Sequence, residues 1–83
     1  MEETRAGIAV SPRMTRILDR AAAIGNDHTG RPFIGTENVL RALADDEDGI
    51  AGQVLRELGV LERVKSRLDE IMRSEGYRTP SRG

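Results

Sequence analysis

Apolar residues return along this chain with the spacing of helices, and turn-forming residues fall where each repeat stops. Met14, Ile17, Leu18, Ala21 and Ala22 recur at i, i+3, i+4, i+7 and i+8, the stripe that one helix face presents. Ser11 followed by Pro12 predicts where that helix starts. A serine hydroxyl accepts a bond from an orphan first-turn amide, and proline has no amide to leave unpaired at the first position. Gly25 with Asn26 behind it predicts a left-handed stop, so the first helix is expected over about 12–24.

Turn chemistry follows from Asn26 to Pro32 and ends in Phe33 and Ile34, two apolar residues expected to tuck into the core. Gly35-Thr36-Glu37 then offers Thr36 as an N-cap and Glu37 to the positive first turn of a second helix, expected to reach about Ala44. Its apolar positions are Val39, Leu40, Leu43 and Ala44. The acidic string Asp45-Asp46-Glu47-Asp48 and Gly49 break it. Ile50, Ala51, Val54, Leu55 and Leu58 mark a third helix closed by Gly59, and Leu61, Val64, Leu68, Ile71 and Met72 a fourth, to about Ser74. Residues 1–7 carry no pattern and are expected as a flexible N-terminus, with Ile8-Ala9-Val10 an extended lead-in. Residues 76–83 are expected as a frayed tail, which leaves 8–75 as the folded unit. The fold class is all-α: a compact bundle of four to five short helices.

Composition narrows what such a bundle does. A chain of 83 residues forms one domain and buries only roughly 60–65% of its unfolded surface, so the core is small. With no cysteine, disulfides, thiolate zinc sites and thiol nucleophiles are excluded together. No apolar run is long enough to span a bilayer, and Met1-Glu2-Glu3-Thr4 is too acidic for a signal peptide. A cytoplasmic chain with no membrane contact is expected. Thirteen basic residues against fourteen acidic ones leave no strongly basic half, and one Phe and one Tyr cannot build a base-stacking platform.

Catalytic chemistry has little to work with. The lone His28 sits in the predicted turn and reads as a solvated side chain, and no serine has a nucleophile-elbow context. Gly35-Thr36 lacks the lysine of a phosphate loop. The four carboxylates lack the alternating twelve-residue spacing of a calcium loop and read as a solvated turn. Neither an enzyme, a metal site nor a cofactor is expected.

The remaining signal is an ordered set of motifs. Ser11-Pro12-Arg13 opens a helix, Ile34-Gly35-Thr36-Glu37 precedes Val39-Leu40 and Ala42-Leu43, and Gly49-Ile50-Ala51 precedes Val54-Leu55-Arg56-Glu57-Leu58-Gly59-Val60. Over about residues 8–72 this resembles the N-terminal domain of Clp unfoldases. That family usually carries two four-helix repeats in tandem; this chain has one, most like the second. The resemblance implies a non-catalytic module that receives protein substrates or adaptors for an ATP-dependent Clp chaperone or protease, or regulates one. It also implies that Glu37, with Thr36 beside it, stands where some members recognise phosphoarginine. A carboxylate can grip a guanidinium while helix-end amides accept a phosphate. Asn38 stands where the family usually has histidine, Val10 where many second repeats have an aromatic residue, and Thr15 where lysine is common. Val10 and Thr15 belong to a surface that binds ligands in some relatives, so the candidate ligand-binding set is Thr36, Glu37, Asn38, Val10 and Thr15.

A single repeat also keeps the apolar face that a second repeat covers, which points to a homodimer through that face. The alternative reading is a small helical DNA-binding regulator that uses Arg63, Lys65 and Arg67 on the fourth helix. Interleaving with Glu62, Asp69 and Glu70 favours a solvated helix face instead.

Overall fold

Ser11 opens the first helix as its place before Pro12 requires. In the computed structural model, which describes residues 3–5 and 7–78, Ser11 is extended and its hydroxyl accepts the Met14 amide at 3.0 Å. Helix α1 (Pro12–Thr29) then runs for 18 residues, past the expected stop. It ends at Gly30, whose φ of 79° is the left-handed conformation that glycine adopts at least cost, and the Gly30 amide donates to the Asn26 carbonyl at 2.8 Å. Asn26 to Thr29, read from sequence as a loop, form the last helical turn. His28 is therefore half-buried on α1, with Nδ1 donating to the Ile24 carbonyl at 3.0 Å.

Gly25 answers a different need. It is buried, and a Cβ placed there would lie 1.8 Å from the Phe33 carbonyl oxygen. The chain crosses α1 at this one position because no side chain stands in the way. Phe33 is half-buried with the Arg31 guanidinium 5.7 Å from its ring centroid, whereas Ile34, expected in the core, is 47% exposed.

Helices α2 (Thr36–Asp45), α3 (Ile50–Glu57), α4 (Leu61–Met72) and α5 (Glu75–Arg78) complete an all-α bundle. A short hairpin precedes it. Strand β1 (Glu3–Arg5) pairs antiparallel with β2 (Ile8–Val10), Thr4 opposite Ala9, and Gly7 at φ 78° lies in the connection. Residues 3–5 thus have an order that the sequence pattern did not announce, and residues 76–78 belong to α5. The remainder of the ends expected to be flexible, 1–2, 6 and 79–83, lies outside the described residues.

The core is aliphatic and small, as the composition requires. Ile17, Ala21 and Ile24 of α1 meet Ala42 of α2 and Met72 of α4, with Met14, Val39, Leu43, Leu68 and Tyr77 packed around them. Alanines at the contact let α1 and α2 lie close. Gly52 does the same for α3, where a Cβ would stand 2.4 Å from the Asp46 carbonyl oxygen. The apolar set of α3 divides: Ala51 and Leu55 are half-buried, while Ile50, Val54 and Leu58 are exposed.

The acidic string is the expected solvated turn, with Asp45, Glu47 and Asp48 exposed, and it is also a clasp. Both Asp46 oxygens accept from Arg13 at 2.6 and 2.7 Å, which ties the start of α1 to the α2–α3 connection. Asp45 accepts from Arg41 at 2.6 Å and Arg20 at 3.3 Å. Glu47 is 3.5 Å from both Arg56 and Lys65. Arg41 also reaches Asp69 at 2.9 and 3.3 Å and so bridges α2 to α4. Exposed pairs of this kind contribute about 0.2–1 kcal/mol each. The Arg41–Asp69 pair stands out because both side chains are largely covered.

Candidate functional site

The entry to α2 is built around glycine, not threonine. Gly35 is the capping residue, extended at φ −108° and ψ 171°, and Thr36 is the exposed first residue of the helix. Asn38, three residues past the cap, reaches back so that its Oδ1 accepts the Gly35 amide at 2.8 Å. This is half of a capping box, since glycine has no side chain to return the bond.

Asn38 is completely buried, and its amide is fully committed. Besides the Gly35 contact, its Nδ2 donates to the Tyr77 hydroxyl at 3.0 Å and lies 3.5 Å from the Met72 sulfur. An amide left unpaired at such a site costs about 1–3 kcal/mol, which explains why every one of its polar atoms finds a partner. Asn38 therefore positions the α2 entry and offers no free atom to a ligand.

Glu37 folds back over Gly35. A Cβ on that glycine would lie 2.5 Å from each Glu37 carboxylate oxygen. Tyr77 stands beside it, its pKa pushed up first by burial and then by its bond to Glu37, while the Asn38 amide pulls the other way. A hydroxyl that accepts from Asn38 has its proton free to donate to Glu37. Asn38 thus ties the Gly35 amide to the Tyr77 hydroxyl, with Glu37 near enough to help raise the tyrosine's pKa. Tyr77 is the participant that sequence reasoning missed. Its only signal was that it is the one tyrosine in the chain, set in a stretch read as tail.

The five candidate residues fall into two groups. Thr36, Glu37 and Asn38 gather at the α2 entry, beside Gly25. Val10 and Thr15, both half-buried, lie at the end of β2 and the start of α1. From Thr15 to Gly25 is ten helical residues, about 15 Å along the axis. Near the second group a cavity of about 140 Å³ opens between Met14, Ile17, Leu43 and Ile50, with Arg13 and Asp46 also lining it. Chemically, the α2 entry sets a carboxylate next to first-turn amides that have no intrahelical partner, so one end of one helix offers both an acceptor for cations and donors for anions. No helix among the described residues is long and apolar enough to cross a membrane.

Comparison with known proteins agrees with this architecture. The family model described as the Clp repeat (R) N-terminal domain matches residues 2–76. A curated relative, the ATP-dependent Clp protease ATP-binding subunit ClpA homolog of Trieres chinensis, is 43% identical over 53 residues, which is 64% of this chain and 6% of that protein. The chain thus spans a small part of that relative's length. No solved structure matches. With a match over nearly its whole length, four helices in the expected order ahead of the one-turn α5, and the Gly-Thr-Glu entry to α2, the chain belongs to the Clp repeat N-terminal domain family.

Proposed function

We propose that the chain is a non-catalytic, cytoplasmic binding module that recruits protein substrates or adaptors to an ATP-dependent Clp chaperone or protease, or regulates one. The observation that carries this reading is the Glu37 carboxylate held over Gly35 at the mouth of α2, within a chain of this family. Glu37 and Thr36 are the pair that faces ligand, and a guanidinium bearing a phosphoryl group suits them: Glu37 takes the cation and the helix-end amides take the anion. Asn38 sets their position from below. Val10 at the end of β2 and Thr15 near the start of α1, the latter about 15 Å along the helix axis from Gly25, serve as a separate contact for adaptors.

A titration of the isotope-labelled chain with phosphoarginine, followed by amide resonances, tests the reading. Shifts confined to Thr36 through Val39, lost in Glu37→Ala while the remaining spectrum persists, are the expected result. Unmoved resonances in the wild-type chain sink the phosphoarginine version; binding of an unmodified adaptor or substrate peptide would leave recruitment standing without it. The duplex-DNA alternative is poorly served by the basic group on α4, where Arg63 alone has no ion-pair partner among the described residues. Lys65 is half-buried and sits within 4.0 Å of Asp45, Glu47 and Glu62, and Arg67 pairs with Glu70.

A further inference from the structure

Two apolar surfaces have nothing packed on them among the described residues, and their edges carry opposite charge. The first is the outer ridge of α3. Ile50, Val54 and Leu58 are 81%, 47% and 70% exposed and stand at i, i+4 and i+8, so they line one side of the helix. Asp48 lies before the ridge and Glu57 near its end, both exposed and neither in a salt bridge among the described residues. The second surface is a shallow groove between α2 and α4, with a volume of about 390 Å³, floored by Leu40, Val60, Val64 and Leu68. Arg63 and Arg67 line it and no carboxylate does. Arg63 has no ion-pair partner among the described residues, and Arg67 has only the exposed Glu70.

The two surfaces adjoin. The ridge finishes at Leu58 and the groove begins at Val60, with Gly59 at φ 74° turning the chain between them. We propose that the occupant of the groove is a second copy of this chain, in a twofold dimer where the α3 ridge of each copy lies in the α2–α4 groove of the other and Glu57 faces Arg63. The ridge supplies what the groove lacks, an aliphatic row edged by carboxylates. Because ridge and groove are neighbours on one chain, a single 180° rotation satisfies both contacts at once and leaves no open end. Reciprocity is also needed for size. An eight-residue helix is only about 12 Å long, too short by itself to supply the roughly 800 Å² per partner of a standard interface. Burying ridge and groove on both copies doubles the contact. The inference does not depend on what the module recruits.

The experiment is the mass of the 83-residue chain in solution, by sedimentation equilibrium from micromolar to millimolar concentration, with far-UV circular dichroism on each variant to show that the helices persist. The expected result is a dimer of the 9.1 kDa chain. Leu58→Glu and the pair Arg63→Glu with Arg67→Glu each raise the dissociation constant at least about tenfold, and both alter exposed positions that the fold does not need. The pair Asp48→Arg with Glu57→Arg behaves likewise. Mixing the two charge-reversed proteins restores association, because every ridge then meets a groove of opposite sign. A chain that stays monomeric throughout the range overturns the proposal, even if a foreign acidic peptide enters the groove. So does a dimer that survives Leu58→Glu, one that breaks with Leu58→Glu but ignores reversal of Arg63 and Arg67, or a mixture that fails to reassociate.

Discussion

Replacing Gly25 by alanine separates two opposed expectations. In the interior of a helix, alanine is favoured over glycine by about 0.8–1 kcal/mol. If Gly25 were only an interior glycine of α1, the variant would be the more stable protein. The structure reverses the sign. The added methyl would start 1.8 Å from the Phe33 carbonyl oxygen, 2.8 Å from its carbon and 3.2 Å from Asn38 Oδ1, where ordinary contact begins near 3.4 Å. Because the obstacle is backbone, no rotamer change relieves it, and the segment that carries Gly35 must move away from α1. Overpacking typically costs about 1–3 kcal/mol and can cost more when backbone must shift. A backbone obstacle puts the cost at the upper end, about 3 kcal/mol, so after subtracting the propensity gain a net loss of about 2 kcal/mol remains. For a domain of this size that lowers the melting temperature by about 8–16 °C. Thermal and urea unfolding followed at 222 nm measure it. Gly30→Ala is the control: its φ of 79° makes any side chain strained, at about 1 kcal/mol, but the space around it is open. Gly25→Ala must therefore be the more damaging of the two. A Gly25→Ala protein as stable as the parent, or less affected than Gly30→Ala, would refute the packing argument.

Other consequences are open to measurement. Tyr77 is the only tyrosine and the chain has no tryptophan, so the absorbance of ionised tyrosine reports on it alone. Burial and Glu37 raise its pKa above the ordinary 10.0; its docking contributes fully below pH 10 and is lost as the pH climbs through the raised value. Glu37→Ala should bring the midpoint down, and an unchanged midpoint would contradict the bond between them. Asn38→Ala should cost about 2 kcal/mol in urea unfolding, because the half-buried Gly35 amide loses its acceptor and the Tyr77 hydroxyl its donor. A loss below about 0.5 kcal/mol would place solvent where the structure places Asn38. Asp69 is held below the usual 3.8, first by its hydrogen bond to Arg41. That contribution is present above pH 3.8 and fades as the pH falls through the depressed value. Arg41→Leu should therefore lose about 1–2 kcal/mol at pH 7 and a smaller amount at pH 2. Equal losses at both pH values would show that the ion pair is not the cause.

Much of the bundle was legible because helix periodicity and end signals are local. Ser11 before Pro12 fixes the start of α1 without reference to anything distant. The stripes of α2 and α4 name part of their covered faces, Ala44 and the flanks Val39 and Leu43 on α2 and Leu61, Val64, Leu68 and Met72 on α4, while Leu40 and Ile71 from the same stripes are exposed and Asn38 and Ala42 are buried instead. Gly25 was opaque because glycine serves two needs that look alike in sequence: a left-handed turn, and room for a crossing backbone. Only the path of Phe33 distinguishes them. In α3 the apolar residues Ile50, Ala51, Val54, Leu55 and Leu58 form one stripe about 140° wide at about 100° per residue, and periodicity cannot say which edge of that stripe turns inward. Gly52, with no side chain to signal anything, decides it by letting the turn at Asp46 press on that face. At the candidate site, Glu37 was visible through its motif, but the buried Asn38–Tyr77 contact beside it was not. Asn38 reads as a polar surface residue until Met72 and Tyr77, more than thirty positions later, close over it.

That closure bears on the order in which the molecule comes apart. Asn38 and Tyr77 are 39 residues apart in the chain, whereas α1 and α2 are joined by a short connection and meet through the adjoining Gly25 and Phe33. Longer loops cost more entropy to close, and α5 is a single turn with few contacts to hold it. On loop length alone the α1–α2 pair is expected to form before the C-terminal turn docks, and α5 to release before the rest of the fold opens. Its release would uncover the Asn38 amide and set the Glu37 carboxylate free of the tyrosine. The segment expected to dock last thus lies against the candidate site through Tyr77, and removal of residues 75–78 is expected to alter that site without touching a ligand.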